Sequence, residues 1–257
     1  MNTEQQLIAY KTIVIKEVSR FTRIWVQTIL PPAVSMTLYF IIFGNLIGPR
    51  IGKMDGFDYM AFISPGIIMM SIINNAYANV VSSFFGAKFQ RHIEEMLVAP
   101  VPYAIILAGY ITGGAARGLL VGVVVTIIAL FFTDLHVHSY VVVFSVVLLT
   151  AVLFSLAGLI NGIYAKKFDD ISIIPTFILT PLIYLGGIFY SIELLPEFWQ
   201  TVSRFNPILY MVNAFRFGLL GVSDIDITVA FSIILVFILL LTIFSLYLLH
   251  RGTGIKT

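Results

Sequence analysis

The sequence predicts an all-α membrane protein with six transmembrane helices, and three observations predict it. Hydrophobic residues make up 59% and charged residues 11% of 257, against about 45–50% and about 25% in a soluble domain. Five runs without Asp, Glu, Lys, Arg or His, at 24–49, 59–87, 139–165, 171–192 and 227–249, reach the roughly 20 residues that cross a hydrocarbon core. A sixth, 96–133, is broken only by Arg117. The alternation a lipid-embedded β-barrel needs is missing from runs such as 119–132 and 232–249, so the backbone must satisfy itself in helices.

The elements follow in order. In residues 1–23, Leu7, Tyr10, Val14, Val18 and Phe21 recur at helical spacing while Gln6, Lys16, Arg20 and Arg23 fall elsewhere on the wheel, which predicts an amphipathic helix lying in the interface. Glu4 and the lack of a basic, apolar and small-residue succession argue against a cleaved signal. The spans are placed at 24–48, 59–85, 103–132, 139–165, 171–190 and 227–249. Between spans two and three, 86–102 carries Lys88, Arg91, His92, Glu94 and Glu95 and ends in Pro100 and Pro102, the pattern of a short helix closed by proline. Between spans five and six, 191–226 keeps Leu194, Phe198, Trp199, Phe205, Ile208 and Phe215. Such an apolar connection is expected to dip into the membrane as two short helices broken near Asn206 and Pro207.

Basic residues set the orientation. With both termini in the cytoplasm, Lys11, Lys16, Arg20, Arg23, Lys88, Arg91, Lys166, Lys167, Arg251 and Lys256 lie inside, and only Arg50, Lys53, Arg204 and Arg216 outside. Acidic residues divide nearly evenly, so the asymmetry is the positive-inside kind.

Several function classes drop out. Cysteine is absent, which removes disulfides, thiolate metal sites and thiol catalysis. The net charge of +2 gives no case for nucleic acid. The spans hold no Asp, Glu, His or Lys, so neither an intramembrane catalytic constellation nor a proton relay is expected. His136 and His138 lack a third ligand, and no metal, catalytic or cofactor site is assigned. No G-x-x-x-x-G-K-[ST] loop is present, so uphill transport would draw its energy from another polypeptide.

The remaining candidates concern packing and passage. Gly109, Gly113, Gly118 and Gly122 on span three stand at spacings that let helices approach closely. Arg117 on the same helix costs at least about 2.5–3.5 kcal/mol at a bilayer centre and is read as snorkelling toward the cytoplasm, with lining a substrate path as the alternative. Span two carries Ser71, Asn75, Asn79 and Ser82 or Ser83 at helical spacing, a stripe that suits a subunit contact or a translocation path equally. Tyr39, Phe43 and Tyr184 are further candidates for lining that path, and Trp25 and Trp199 mark interfaces.

The order Leu179, Leu182, Leu185, Gly186, Ile188, then Leu195-Pro196, Pro207-Ile208-Leu209-Tyr210 and Arg216 resembles the signature of the ABC-2 type permeases, and FQRHIEEMLVAPVP at 89–102 resembles that family's coupling segment. The resemblance implies a six-helix, type V exporter-like fold with an interfacial helix, a cytoplasmic coupling helix and an external re-entrant hairpin. It implies a homodimer in the bacterial inner membrane that works as an exporter with a separate ATP-binding cassette ATPase, which holds ATP and Mg. By that carry-over Gln90, Arg91, Glu94 and Glu95 meet the ATPase, and Asn206, Pro207, Tyr210 and Arg216 shape the hairpin. A channel or membrane scaffold without ATP-driven transport is the alternative; an intramembrane enzyme ranks below both. The substrate class stays open among drugs, lipids and glycans.

Overall fold

A computed structural model describes residues 1–252 and 254; Lys256, counted above among the inner basic residues, lies outside them. The chain forms α1 (Thr3–Arg23), α2 (Trp25–Ile51), the antiparallel pair β1 (Lys53–Met54) and β2 (Phe57–Asp58), and α3 (Tyr59–Phe89). Then come α4 (His92–Val98), α5 (Tyr103–Ala129), α6 (Tyr140–Tyr164), α7 (Asp170–Tyr184), α8 (Glu197–Arg204), α9 (Pro207–Leu220) and α10 (Ile227–Arg251).

Among the described residues, five helices, α2, α3, α5, α6 and α10, are long and apolar enough to cross a membrane. The expected sixth span at 171–190 is not among them: its helix, α7, ends at Tyr184. Fifteen residues rise about 22 Å, short of a roughly 30 Å core. Gly186 and Gly187 set that end. Gly187 has φ +69°, a left-handed conformation that glycine adopts without strain, and a Cβ on Gly186 would come within 2.7 Å of Ile208.

Helix α3 occupies the centre and is the most enclosed of the five. Its two neighbours approach it through glycine. A Cβ on Gly118 of α5 would stand 2.9 Å from Ala76, one on Gly122 2.7 Å from Ile72, and one on Gly158 of α6 2.5 Å from the Tyr77 carbonyl. Helices α2 and α10 bury little of their surface and line the outside. Within α2 the helix widens to π geometry over Phe40–Ile47, where Gly44 makes room for the Met60 side chain.

Helix α1 starts on a capping box, Asn2 Oδ1 accepting from Gln5 N–H at 2.9 Å and Gln5 Oε1 from Asn2 N–H at 3.1 Å. The line it buries is Ile13, Glu17 and Phe21; of the expected stripe, Phe21 is buried, Tyr10, Val14 and Val18 are half-buried, and Leu7 is exposed. Gly109 and Gly113 of α5 open a groove that the Ile13 side chain and the Glu17 stem fill. Surface hydrophobicity therefore did not choose this face; the shape of α5 did.

Replacing Gly113 by Ala pushes a methyl into the Glu17 Cβ, which cannot swing away. Gly113→Ala is expected to destabilise the purified chain by about 1–3 kcal/mol, read as earlier thermal unfolding in detergent. Gly86→Ala, with nothing within 4 Å of its added Cβ, should leave the midpoint unchanged or slightly raised.

Candidate functional site

The predicted coupling and hairpin residues lie at the two ends of α3. At its C-terminal end, Gln90 closes the helix and Arg91 turns the chain with φ 62°, so α4 leaves in a new direction. Ile93 anchors α4 by complete burial; Gln90, Arg91 and Glu95 are exposed and Glu94 half-buried. Lys88 ties this corner to α6 by donating to the Ile163 and Ala165 carbonyls, both at 2.6 Å. Those are end-of-helix acceptors that lack partners of their own. Phe168, from the α6–α7 connection, packs on Phe85 and Phe89 with ring centres 5.0 and 4.9 Å apart.

At the other end, α8 and α9 fold back on the chain that follows α7. Asn206 caps α9 by accepting from Ile208 N–H at 3.0 Å and donates to the Leu182 carbonyl at 2.6 Å. Pro207 takes the first helical position, where its missing N–H costs nothing. Tyr210 donates its hydroxyl to the Arg204 carbonyl at 2.6 Å. Arg216 is fully buried. Its guanidinium lies 3.9 Å over the Phe62 ring and donates to the Gly187 carbonyl and to Asn213 Oδ1. Asn206, Tyr210 and Arg216 thus satisfy backbone polar groups in the hairpin, in α7 or in the turn after it.

That turn carries Phe189, which brings three path candidates together. Tyr39, Phe43 and Tyr184 stack around it with centres 5.7, 4.6 and 6.1 Å away and planes within 27–29°. The Tyr39 and Tyr184 hydroxyls are 3.3 Å apart, and Tyr59 at the start of α3 donates to the Phe189 carbonyl at 2.9 Å. Asn75 and Asn79 lie elsewhere. Asn75 donates to Ser71 within its own helix, and Asn79, wholly buried, accepts from Arg20 at 2.7 Å. The side of α3 left open runs instead through Asn74, Ala78 and Ser82.

Sequence reading missed the polar seam that docks α1. Glu17 is fully buried; it accepts from Ser83 Oγ at 2.6 Å and pairs with Lys16 at 3.4 Å and Arg20 at 3.6 Å. Tyr10 meets Thr112 at 2.9 Å. The available signal was the i, i+3 pair Glu17 and Arg20 on a line whose other members are apolar. The four glycines divide between two partners, Gly109 and Gly113 facing α1 and Gly118 and Gly122 facing α3. Arg117, midway along α5, is partly buried, and among the described residues its enclosed Nε has no hydrogen-bond partner.

Comparison with known proteins decides the family. The model of the ABC-2 type transporter family matches residues 8–220. The chain belongs to the ABC-2 type transporter family. It is 61% identical over 250 residues to the inner membrane transport permease YadH of Escherichia coli K12, covering 97% of this chain and 98% of that one. The Shigella flexneri permease of the same name matches equally. Nodulation protein J of Rhizobium leguminosarum bv. viciae is 24% identical, with 83% of each chain covered. The chain is therefore a multi-pass transport permease of the inner-membrane kind.

Two predictions follow from the hairpin end of this permease. Arg216→Met leaves the buried Gly187 carbonyl without its charged donor, and a loss of about 1.5–3 kcal/mol is expected; Arg216→Lys should recover little, since ammonium lacks the planar fork. Asp55, in the β1–β2 turn, has its carboxyl pushed above the usual range by burial and by Asp224, against the pull of Arg216. The wild type therefore loses stability as pH rises from about 3.9, the ordinary value, through the raised one. Asp55→Asn should be more stable at pH 7 by less than about 1 kcal/mol, the group being largely exposed, and the pH-dependent part of that gain should vanish in acid. Thermal unfolding of both chains between acid and neutral pH checks it.

Proposed function

We propose that the chain is the permease subunit of an ATP-binding cassette exporter, paired with a second copy and driven by a separate ATPase that binds ATP and Mg. The observation that carries this is α3, an unbroken helix of 31 residues, about 46 Å long. It joins the coupling segment at one end to the Phe189 aromatic group and the hairpin at the other. A continuous central helix attached at both ends, with Pro65 near its hairpin end, suits the transfer of motion from an ATPase on α4 to a gate near Phe189.

In this reading the α4 end faces the cytoplasm and the hairpin the outside, an arrangement supported by the basic residues clustered at the α4 end. The short α7 serves as the sixth membrane segment, its length completed by the turn and the hairpin. The path runs between copies, along α2, α7 and the open Asn74, Ala78 and Ser82 side of α3, and passes the rings of Tyr39, Phe43 and Tyr184. Neutral polar groups beside aromatic rings suit hydrophobic, amphipathic or glycolipid-like molecules and give no selection by charge. ATP supplies the difference in binding free energy that moves the equilibrium between inward- and outward-open states.

Purification from native membranes should bring down an ATPase in equal number with the permease. Glu94→Ala combined with Glu95→Ala should lower substrate-stimulated ATP hydrolysis several-fold while insertion and the aromatic group stay intact. Unchanged coupling would remove α4 from the ATPase contact, and substrate flux indifferent to ATP would favour a channel.

A further inference from the structure

A cleft opens between α5 and α6 on the hairpin side of the bundle, with a volume of about 500 Å³. We propose that it is a binding site for one acyl chain of a phospholipid in the hairpin-side leaflet. Its floor is Ile68 and Ile72 of the central helix, and Phe215 and Leu219 of α9 close one side. Val123 and Phe144 form the rim and are 58% and 72% exposed. The lining is apolar nearly throughout; Thr126 turns its hydroxyl inward to the Gly122 carbonyl at 2.8 Å, leaving its methyl to the cleft.

The occupant follows from the surroundings. Val123 and Phe144 belong to helices of spanning length, so the medium outside the rim is hydrocarbon. Water gains no partners in an apolar slot, and an unfilled slot forfeits the dispersion contacts of every group lining it. A second helix, about 10–12 Å across with side chains, is too wide to enter between neighbours packed 8–10 Å apart; a single hydrocarbon chain enters freely.

Dimensions agree. The lining runs from Tyr140 to Val147 on α6 and from Ile127 back to Leu119 on α5, about 11 Å along the axis. Half of a hydrocarbon core is about 15 Å. Tyr140, 66% exposed, stands at the mouth, where amphipathic aromatic residues meet headgroups. Because Phe215 and Leu219 flank Arg216, the seated chain completes the packing of α9.

The test uses the full chain in bilayer discs of palmitoyl-oleoyl phosphatidylethanolamine and phosphatidylglycerol, released into the gas phase for native mass spectrometry. One phospholipid should stay with each wild-type chain. Val123→Phe with Val147→Phe should lose it, whereas Leu120→Phe, on the same helix outside the cleft, should keep it. Retention by the filled variant would overturn the proposal. Should that variant not fold, wild-type chain in discs doped with a phosphatidylcholine bearing a diazirine in its tail gives the answer. Labelling should concentrate at Val123 and Phe144 relative to the exposed Leu239 of α10. Equal labelling would reduce the cleft to ordinary lipid contact, and a cross-link to a second copy across α5 and α6 would assign it to a subunit interface; either result overturns the site.

Discussion

Helices in a bilayer gain nothing from merely exchanging lipid for one another, because both surfaces are apolar, so association must come from close approach and from polar contacts that lipid cannot offer. Everything here depends on how near α5 and α6 come to α3. Glycine at 118, 122 and 158 brings their backbones against Ala76, Ile72 and the Tyr77 carbonyl. A methyl at any of these positions would hold the helices apart and forfeit the dispersion contacts on both sides. The centre is thereby fixed, and α1 and the hairpin are attached to it by a different chemistry.

That second chemistry is polar and buried. Glu17 holds α1 through Ser83 and its basic neighbours, and Arg216 holds the turn after α7 through the Gly187 carbonyl and the Phe62 face. Such groups are costly to enclose and costlier still to orphan, so each fixes one arrangement of its element in a way an apolar contact does not. The latch of the hairpin lies at one end of α3 and the seam of α1 toward the other, and between them Asn161 of α6 donates to the Tyr77 hydroxyl at 2.8 Å.

What the sequence disclosed and what it hid follow the same division. Long uncharged runs and four-residue glycine spacing are local patterns, and they located the spans and the close contacts on α5. Glu17 was hidden because an acid on an amphipathic helix reads as solvated; its burial depends on a groove made 96 residues later by Gly113. Asn75 and Asn79 share a helical stripe with the open face, yet small rotations decide exposure, and the open line falls on Asn74. Phe189 was invisible for another reason: it lies in a turn, outside any periodic element, and gains meaning only when Tyr59 and the rings of α2 and α7 close on it. The length of α7 was misread because uncharged composition continues through Gly186 and Gly187, where the backbone has already left the helix.

The attachment of both ends of α3 bears directly on the proposed transfer of motion. Near Phe89 the helix is joined to α6 by Lys88 and to the next connection by Phe168; near Tyr59 it is joined to Phe189 by a hydrogen bond and to α9 through Phe62 and Arg216. A helix keeps its hydrogen bonds under small rigid-body movements and resists stretching, so a tilt imposed at one end reappears at the other. The Phe189 ring faces, stacked across α2 and the turn after α7, meet mainly by dispersion with the Tyr39–Tyr184 hydroxyl contact beside them, whereas Arg216 and Asn206 are held by charged or backbone hydrogen bonds. If α4 receives the ATPase's movement as proposed, these contacts would let the aromatic group yield before the hairpin does.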